Sequence, residues 1–411
     1  MTEPTAPIEL TGTSSRFTSP TRQPDIDLLA RLEGICETIT SPIATAEASR
    51  DWWPLAMHWS LVGDVPQRAA AICRPTTTDH VVDVLVQCSA AGVPVTAAGG
   101  RSGVSGASIP AFGGVILDLT AMQGIIEIDA VAGVVEVWAG TFGPDLETEL
   151  RRRCAMTVGH FPQSFDIATV GGWVACRGAG QYSTRYGKID DMVVGLEVVL
   201  ADGTVLRTGH GPAAAMGPDL THLFLGSEGT LGVVTRVWLR AHPVPTHERR
   251  AAYTFADFES GIEACRLILR RGATPAVLRL YDAVETQRSH GGDGTQCALL
   301  VLDEGDIGLV EAAIGVVEDE CAAAVRVSDD LVEQWLEHRN DTHALQDLTR
   351  KGFVVDTMEI AAPWSRLPAI FVAARAALMA NGDHCQKSFQ LPGTRTKVPV
   401  LPFRTARTVV S

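Results

Sequence analysis

The sequence predicts an α+β protein of two main parts: a glycine-rich cofactor domain, then a ferredoxin-like α+β cap. Three observations lead there. A chain of 411 residues is too long for one hydrophobic core. From Arg74 onward, short apolar runs of strand length alternate with segments of helical period, interrupted by glycine-rich stretches that begin near residues 98, 159 and 226. After residue 250 the order becomes strand, helix, strand, strand, helix, strand, the ferredoxin-like sequence of elements.

Residues 1–25 are rich in Thr, Ser and Pro and read as a draped N-terminal arm; 26–36 has helical spacing, and Trp52, Trp53, Met57 and Trp59 form an aromatic cluster suited to packing rather than to a ligand. These residues, up to 61, precede a first domain over 62–245. In it, Thr76, Thr77 and Thr78 offer caps for a helix ended by Gly92, followed by a buried strand at 93–98 and another at 114–119. Hairpins are expected at 125–137 and, across the turn pair Asp202-Gly203, at 193–208, with a charged helix at 145–153 and a strand at 233–240. The cap, 246–380, reads as strands at 251–255, 276–281, 297–303 and 324–327 with helices at 258–271 and 307–322. One helix at 331–348, a strand at 353–360 and a helix at 363–380 extend it, and 381–411 reads as an atypical polar tail, truncated or divergent.

The balance of 48 acidic against 34 basic residues, net −14, argues against holding nucleic acid or anionic lipid by surface charge. Nine cysteines without C-x-x-C spacing or a zinc-type Cys/His cluster read as reduced, mostly buried thiols, and no metal site is expected. The apolar run 369–380 is broken by Arg375 and too short to span a bilayer, and no charged leader precedes an apolar core, so the expected location is cytoplasmic.

The glycine-rich segments carry the chemistry. The first, Ala98-Gly99-Gly100-Arg101-Ser102-Gly103-Val104-Ser105-Gly106, follows a buried strand, and its glycines let consecutive N–H groups converge on an anion such as a pyrophosphate. It lacks G-x-G-x-x-G spacing and so is not the Rossmann fingerprint. The second runs from Gly159 through Gln163, Ser164 and Thr169, which can donate to phosphate or ring carbonyls, to Gly171-Gly172, where backbone can approach a flat ring. The third, Gly226-Ser227-Glu228-Gly229-Thr230-Leu231-Gly232-Val233-Val234-Thr235, enters a strand, with Glu228 an acceptor for ribose or adenine groups.

Three such loops in this order resemble the FAD-binding domain of the vanillyl-alcohol oxidase and p-cresol methylhydroxylase superfamily. Within it, 159–191 and 215–220 resemble the alkyldihydroxyacetonephosphate synthases, and the likeness spans about residues 70–380. The resemblance implies FAD contacts from Ala98, Gly99, Gly100, Arg101, Ser102, Gly103 and Val104, and from Gln163, Ser164, Phe165, Asp166, Ile167, Ala168 and Thr169. It adds Gly171 and Gly172, a flavin lining of Cys176, Arg177, Gly178 and Ala179, and a last contact strand of Glu228, Gly229, Thr230, Leu231, Gly232, Val233 and Val234. The first loop holds no histidine for a covalent tether, which implies non-covalent FAD. Arg101 either contacts phosphate or points to solvent.

Arg279 interrupts the apolar strand 276–281, where an unpaired buried charge is costly; it either braces the cap through a salt bridge or, as the resemblance implies, faces the flavin cavity and holds the substrate's phosphate. His160 reads as a structural histidine. The family exchanges the acyl group of acyl-dihydroxyacetone phosphate for a fatty alcohol, the ether-forming step of ether-lipid synthesis, which also brings in a peripheral membrane contact and a homodimer as expectations. Its tandem histidines and tyrosine near the C-terminus find no counterpart in 381–411, where His384 stands alone, so impaired catalysis is expected of this chain. Two other readings stay open: a redox flavoenzyme acting on a 2-hydroxy acid, and a non-catalytic flavin-binding paralogue.

Overall fold

The computed structural model describes residues 20–209, 217–380, 385–392 and 400–408, the last two segments by their backbone. Most of the expected N-terminal arm, residues 215 and 216, and His384 lie outside the described residues. Contacts divide the chain into two compact units: Met1–Val158 with Ser164–Gly178 and Ile189–His242, and Gly159–Gln163 with Ala179–Lys188 and Pro243–Ser411.

In the first unit, α1 (Ile26–Glu33) begins where the Asp25 side chain accepts from the Leu28 N–H, and it buries Leu28 and Leu32. β1 (Glu37–Ile39) pairs antiparallel with β2 (Ala71–Arg74). α2 (Thr78–Ala91) is capped by Thr77 and ends at Gly92, whose φ of 64° favours glycine. β3 (Val95–Ala98) and β4 (Val115–Asp118) run parallel, completing a four-stranded sheet in the order β1-β2-β4-β3. Leu28, Leu32, Cys73, Val84, Leu85, Cys88, Val115 and Leu117 form the core between sheet and helices, each large aliphatic side chain contributing about 2 kcal/mol.

A second sheet follows. Its strands are β5 (Ile125–Asp129), β6 (Val134–Trp138), β7 (Val193–Val199), β8 (Val205–Thr208) and β9 (Val233–Arg240), in the antiparallel order β5-β6-β9-β7-β8. Both expected hairpins form, the second through Gly203 at φ 86°. Between β6 and β7 lie α3 (Gly143–Cys154) and α4 (Val170–Ala175). Glu197 on β7 is buried, yet accepts from Thr78 Oγ1 at 2.7 Å and Thr235 Oγ1 at 2.9 Å and pairs with Arg207 at 2.8 Å. These partners make up for its lost hydration and tie α2 and β9 to one carboxylate.

The second unit opens with β10 (His247–Phe255), α5 (Phe258–Arg270), β11 (Val277–Tyr281), α6 (Ala283–His290), β12 (Cys297–Gly305), α7 (Ile307–Glu320) and β13 (Val325–Val327). Next come α8 (Asp330–His338), α9 (His343–Arg350), β14 (Phe353–Ala361), α10 (Leu367–Ala380), β15 (Cys385–Pro392) and β16 (Val400–Thr408). The sheet order is β13-β10-β12-β11-β15-β16-β14, and its first four strands have the ferredoxin-like arrangement. Phe258, Ile262, Cys265 and Ile268 of α5 pack on Leu278, Leu280, Leu299 and Val301.

Three local expectations are corrected. The helix expected over 331–348 is two helices, because Asn340, Asp341 and Thr342 favour a turn over helix interior. α6 occupies a stretch with no expected element; Asp282 caps it by accepting from the Glu285 N–H. The supposed polar tail contains β15 and β16, with β15 joined to β11 through Arg279↔Pro392, Leu280↔Leu391 and Tyr281↔Gln390.

Candidate functional site

The end of β3 delivers the first glycine loop against the second. A side chain on Gly99 would collide with that of Thr169, and one on Gly100 with the Ile167 carbonyl. Glycine is required at both for this approach. Thr169 also starts α4, its Oγ1 accepting from the Gly172 N–H at 3.3 Å. Alongside, Gly143 N donates to Ala168 O at 3.2 Å and Gly171 N to Ala139 O at 2.7 Å. The third loop hangs on the end of α4, with Gly226 N to Val174 O at 3.0 Å and Glu228 N to Ala175 O at 2.9 Å. A Cβ on Gly229 would sit 3.5 Å from that of Ala97 on β3. Ala98–Val104, Ser164–Thr169 with α4, and Glu228–Val234 are thus brought together.

Backbone conformation marks the same loops. Of the four non-glycine residues with positive φ among the described residues, Arg101 (51°), Arg177 (53°) and Glu228 (50°) each lie in one of these segments, and Ala155 (51°) ends α3. Such conformations persist only where the surroundings impose them, and they turn consecutive N–H groups to one side. The glycines divide into two sets. Gly99, Gly100 and Gly171 lock loop to loop, Gly171 against Ala139 rather than leaving room for a ring, whereas Gly103, Gly172 and Gly229 each have a single atom within 4 Å of the position a Cβ would take. An open glycine in each segment, flanked by strained backbone, fits a dinucleotide that lies on main chain.

Other expected residues have different surroundings. Arg177 pairs with Asp190 at 2.8 Å, Phe165 stacks on Trp173 with centroids 6.3 Å apart, and Cys176 is exposed. Ser102 and Arg101 are half-buried, Asp166 is exposed, and Val233 and Val234 are buried in β9. Gln163 and Ala179 belong to the second unit. There the Gln181 N–H reaches Phe161 O at 2.8 Å, Arg185 pairs with Asp303 at 2.6 Å and Tyr186 donates to Glu304 at 2.6 Å, which fixes 159–163 and 179–188 to β12. His160 is fully buried, and burial lowers its pKa to about 3, leaving a neutral imidazole.

Sequence reasoning assigned no site role to Asp51. It is 2% exposed and accepts from the Trp53 N–H at 3.0 Å and from the N–H groups of Gly106 and Ser108, while Trp52 N donates to Gly103 O at 3.0 Å. The aromatic cluster around Trp53, edge-on to Trp59 at 5.2 Å, thereby holds the far side of the first loop. The available hint was an Asp three residues ahead of Pro54, which opens a helix over Pro54–Leu61.

In the second unit Arg279 lies between Leu278 and Leu280, which face the core with α5, so its side chain is on the opposite face. Its guanidinium carbon is 5.3 Å from the Trp335 ring centroid and 5.9 Å from that of Tyr281, within cation–π reach. Burial raises the Glu359 carboxyl, while Lys188 and Arg279 draw it back down, placing two cations and a carboxyl in one neighbourhood.

Main-chain loops of this kind on this fold define a dinucleotide-binding flavoprotein. An FAD binding domain model matches residues 69–209, and a model of the FAD linked oxidases, C-terminal domain, matches 244–394. The FAD-linked oxidoreductase YgcU of Escherichia coli (strain K12) is 34% identical over 338 residues, 79% of this chain and 69% of that protein. The alkyldihydroxyacetonephosphate synthase of Caenorhabditis elegans is 31% identical over 224 residues, 54% of this chain and 37% of that protein. The glycolate oxidase subunit GlcD of Bacillus subtilis (strain 168) is 31% identical over 269 residues, 63% and 56% of the two. Among solved structures, an alkyldihydroxyacetonephosphate synthase superposes with TM-score 0.83 at 21% identity, covering 98% of this chain and 80% of that one. Substrate-bound p-cresol methylhydroxylase gives 0.75 at 17%, covering 93% and 82%. The chain belongs to the FAD-linked oxidoreductases of the p-cresol methylhydroxylase-type superfamily, and FAD is its cofactor. No helix among the described residues is long and apolar enough to cross a membrane.

Proposed function

We propose that this chain is an alkyldihydroxyacetonephosphate synthase-like FAD enzyme of impaired turnover, whose reaction exchanges the acyl group of an acyl-dihydroxyacetone phosphate for a fatty alcohol. The observation that carries the reading is Arg279, a guanidinium on a strand face with Trp335, Tyr281, Lys188 and Glu359 around it, suited to a phosphate-bearing substrate. The relatives named synthase at 31% identity support it.

In this reading Ala98–Val104 and Ser164–Thr169 bind the FAD pyrophosphate through backbone N–H groups, Gly172 and Cys176–Gly178 border the flavin, and Glu228–Val234 complete the contact. Bound FAD supplies an electron-accepting ring at which the substrate reacts. Without a tethering histidine among Gly99–Gly106, the FAD is held non-covalently. Arg279 orients the substrate by its phosphate, and the neutral His160 remains structural.

A second reading, oxidation of a 2-hydroxy acid, is favoured by the likeness to the glycolate oxidase subunit. Anaerobic flavin spectra separate the two. Bleaching by acyl-dihydroxyacetone phosphate that reverses on adding fatty alcohol supports the synthase reading. Bleaching by glycolate or lactate, and by no phosphate ester, overturns it in favour of the oxidase, and indifference to both favours a non-catalytic flavin protein.

A further inference from the structure

β1 is the three-residue edge strand of the first sheet, and its pairing with β2 sets Thr38 directly opposite Cys73. Cys36 is the residue just before β1, one step ahead of the Glu37↔Arg74 pair. The Thr38 hydroxyl bridges them, reaching Cys36 O at 3.1 Å and Cys73 Sγ at 3.9 Å. Cys73 and the Arg74 N–H both act on the Cys36 sulfur, which sets the two thiols in one neighbourhood. Cys73 and Cys88 are fully buried in the core against α1 and α2, whereas Cys36 is half-buried at its margin. The flavin chemistry uses none of them.

We propose that Cys36 and Cys73 form a peroxide-responsive dithiol, in which Cys36 is oxidised first and Cys73 is the resolving thiol that closes a disulfide between β1 and β2. The donors around Cys36, led by Cys73, hold its thiol below the ordinary range against the opposing effects of burial and Glu37, while the bond to Cys36 and burial push Cys73 up. That asymmetry suits an attacking thiolate beside a protonated partner. The Cys36 thiolate attacks one oxygen of hydrogen peroxide, the O–O bond breaks and hydroxide leaves, giving a sulfenic acid. Cys73 gives its proton to that hydroxide, and its sulfur attacks the Cys36 sulfur, breaking the S–O bond and expelling a second hydroxide. With the proton first lost by Cys36, the sum is two thiols and one peroxide converted to one disulfide and two waters, the sulfurs supplying two electrons. Closing the disulfide would draw Cys36, next to a three-residue edge strand, onto Cys73.

The test uses the FAD-loaded full chain treated with hydrogen peroxide, then thiol counting and non-reducing peptide mapping. The expected result is loss of two thiols, a peptide joining Cys36 to Cys73, and reaction of Cys36 about tenfold faster than the exposed Cys176. Cys73→Ser should stop at a dimedone-trapped sulfenic acid on Cys36, and Cys36→Ser should leave Cys73 reduced; flavin content confirms that both variants fold. Oxidation that begins at Cys176, or Cys36 oxidised with no link to Cys73, overturns the proposal.

Discussion

Asp51→Asn isolates a buried carboxyl that holds the first glycine loop. At 2% exposure it keeps three backbone donors, from Trp53, Gly106 and Ser108, but its Oδ2 has no hydrogen-bond partner among the described residues. Arg50 beside it is engaged by Glu47. Burial therefore outweighs the donors and pushes the carboxyl from 3.8 up to about 6. An acid with a raised folded value keeps its proton where the unfolded chain has lost it. Its contribution is fully present below about pH 4 and is lost as pH rises through about 6. At about 1.36 kcal/mol per pH unit this amounts to about 3 kcal/mol. Urea unfolding of wild type and Asp51→Asn, both saturated with FAD, should show wild type losing about that much relative to the variant between about pH 4 and pH 8. A difference that stays flat, or a wild type that gains with pH, refutes the account of Asp51.

Gly171 and Gly172 should behave differently despite being neighbours. Gly171→Ala places a Cβ 2.7 Å from that of Ala139 and should lower the unfolding midpoint, whereas Gly172→Trp meets only Thr169 Oγ1, at 3.3 Å from its Cβ, and should block FAD at a smaller cost in flavin-free stability; equal effects on stability sink the division into locking and open glycines. Arg279→Ala should weaken a phosphate-bearing ligand by about 1.5–3 kcal/mol in titration calorimetry without releasing FAD. Lower thermal stability with unchanged ligand affinity would instead make Arg279 a brace of its sheet.

Much of the frame was legible because local signals sufficed. Asp202-Gly203 carries its own turn chemistry, Thr77 and Gly92 bracket α2, and the strand–helix rhythm after residue 250 predicted the ferredoxin-like order that the sheet adopts. What escaped is non-local. β15 is polar enough to read as tail until β11 pairs with it, and 159–163 and 179–188 join the second unit through Arg185–Asp303 and Tyr186–Glu304, pairs that no window of sequence contains. The loops were legible as glycine runs, but not which glycines lock and which stay open, since Ala139 and Ile167 decide that from elsewhere in the chain. Asp51 was missed for the same reason, its partners being the N–H groups of Gly106 and Ser108.

The central claim is that these three loops hold FAD through main chain and without a covalent bond. Acid precipitation of the purified, FAD-saturated protein, followed by flavin absorbance in both fractions, tests it most directly. The account predicts about one FAD per chain, all of it in the supernatant, because no histidine stands among Gly99–Gly106 to tether it. Flavin retained in the pellet, or no flavin bound after saturation, would contradict it.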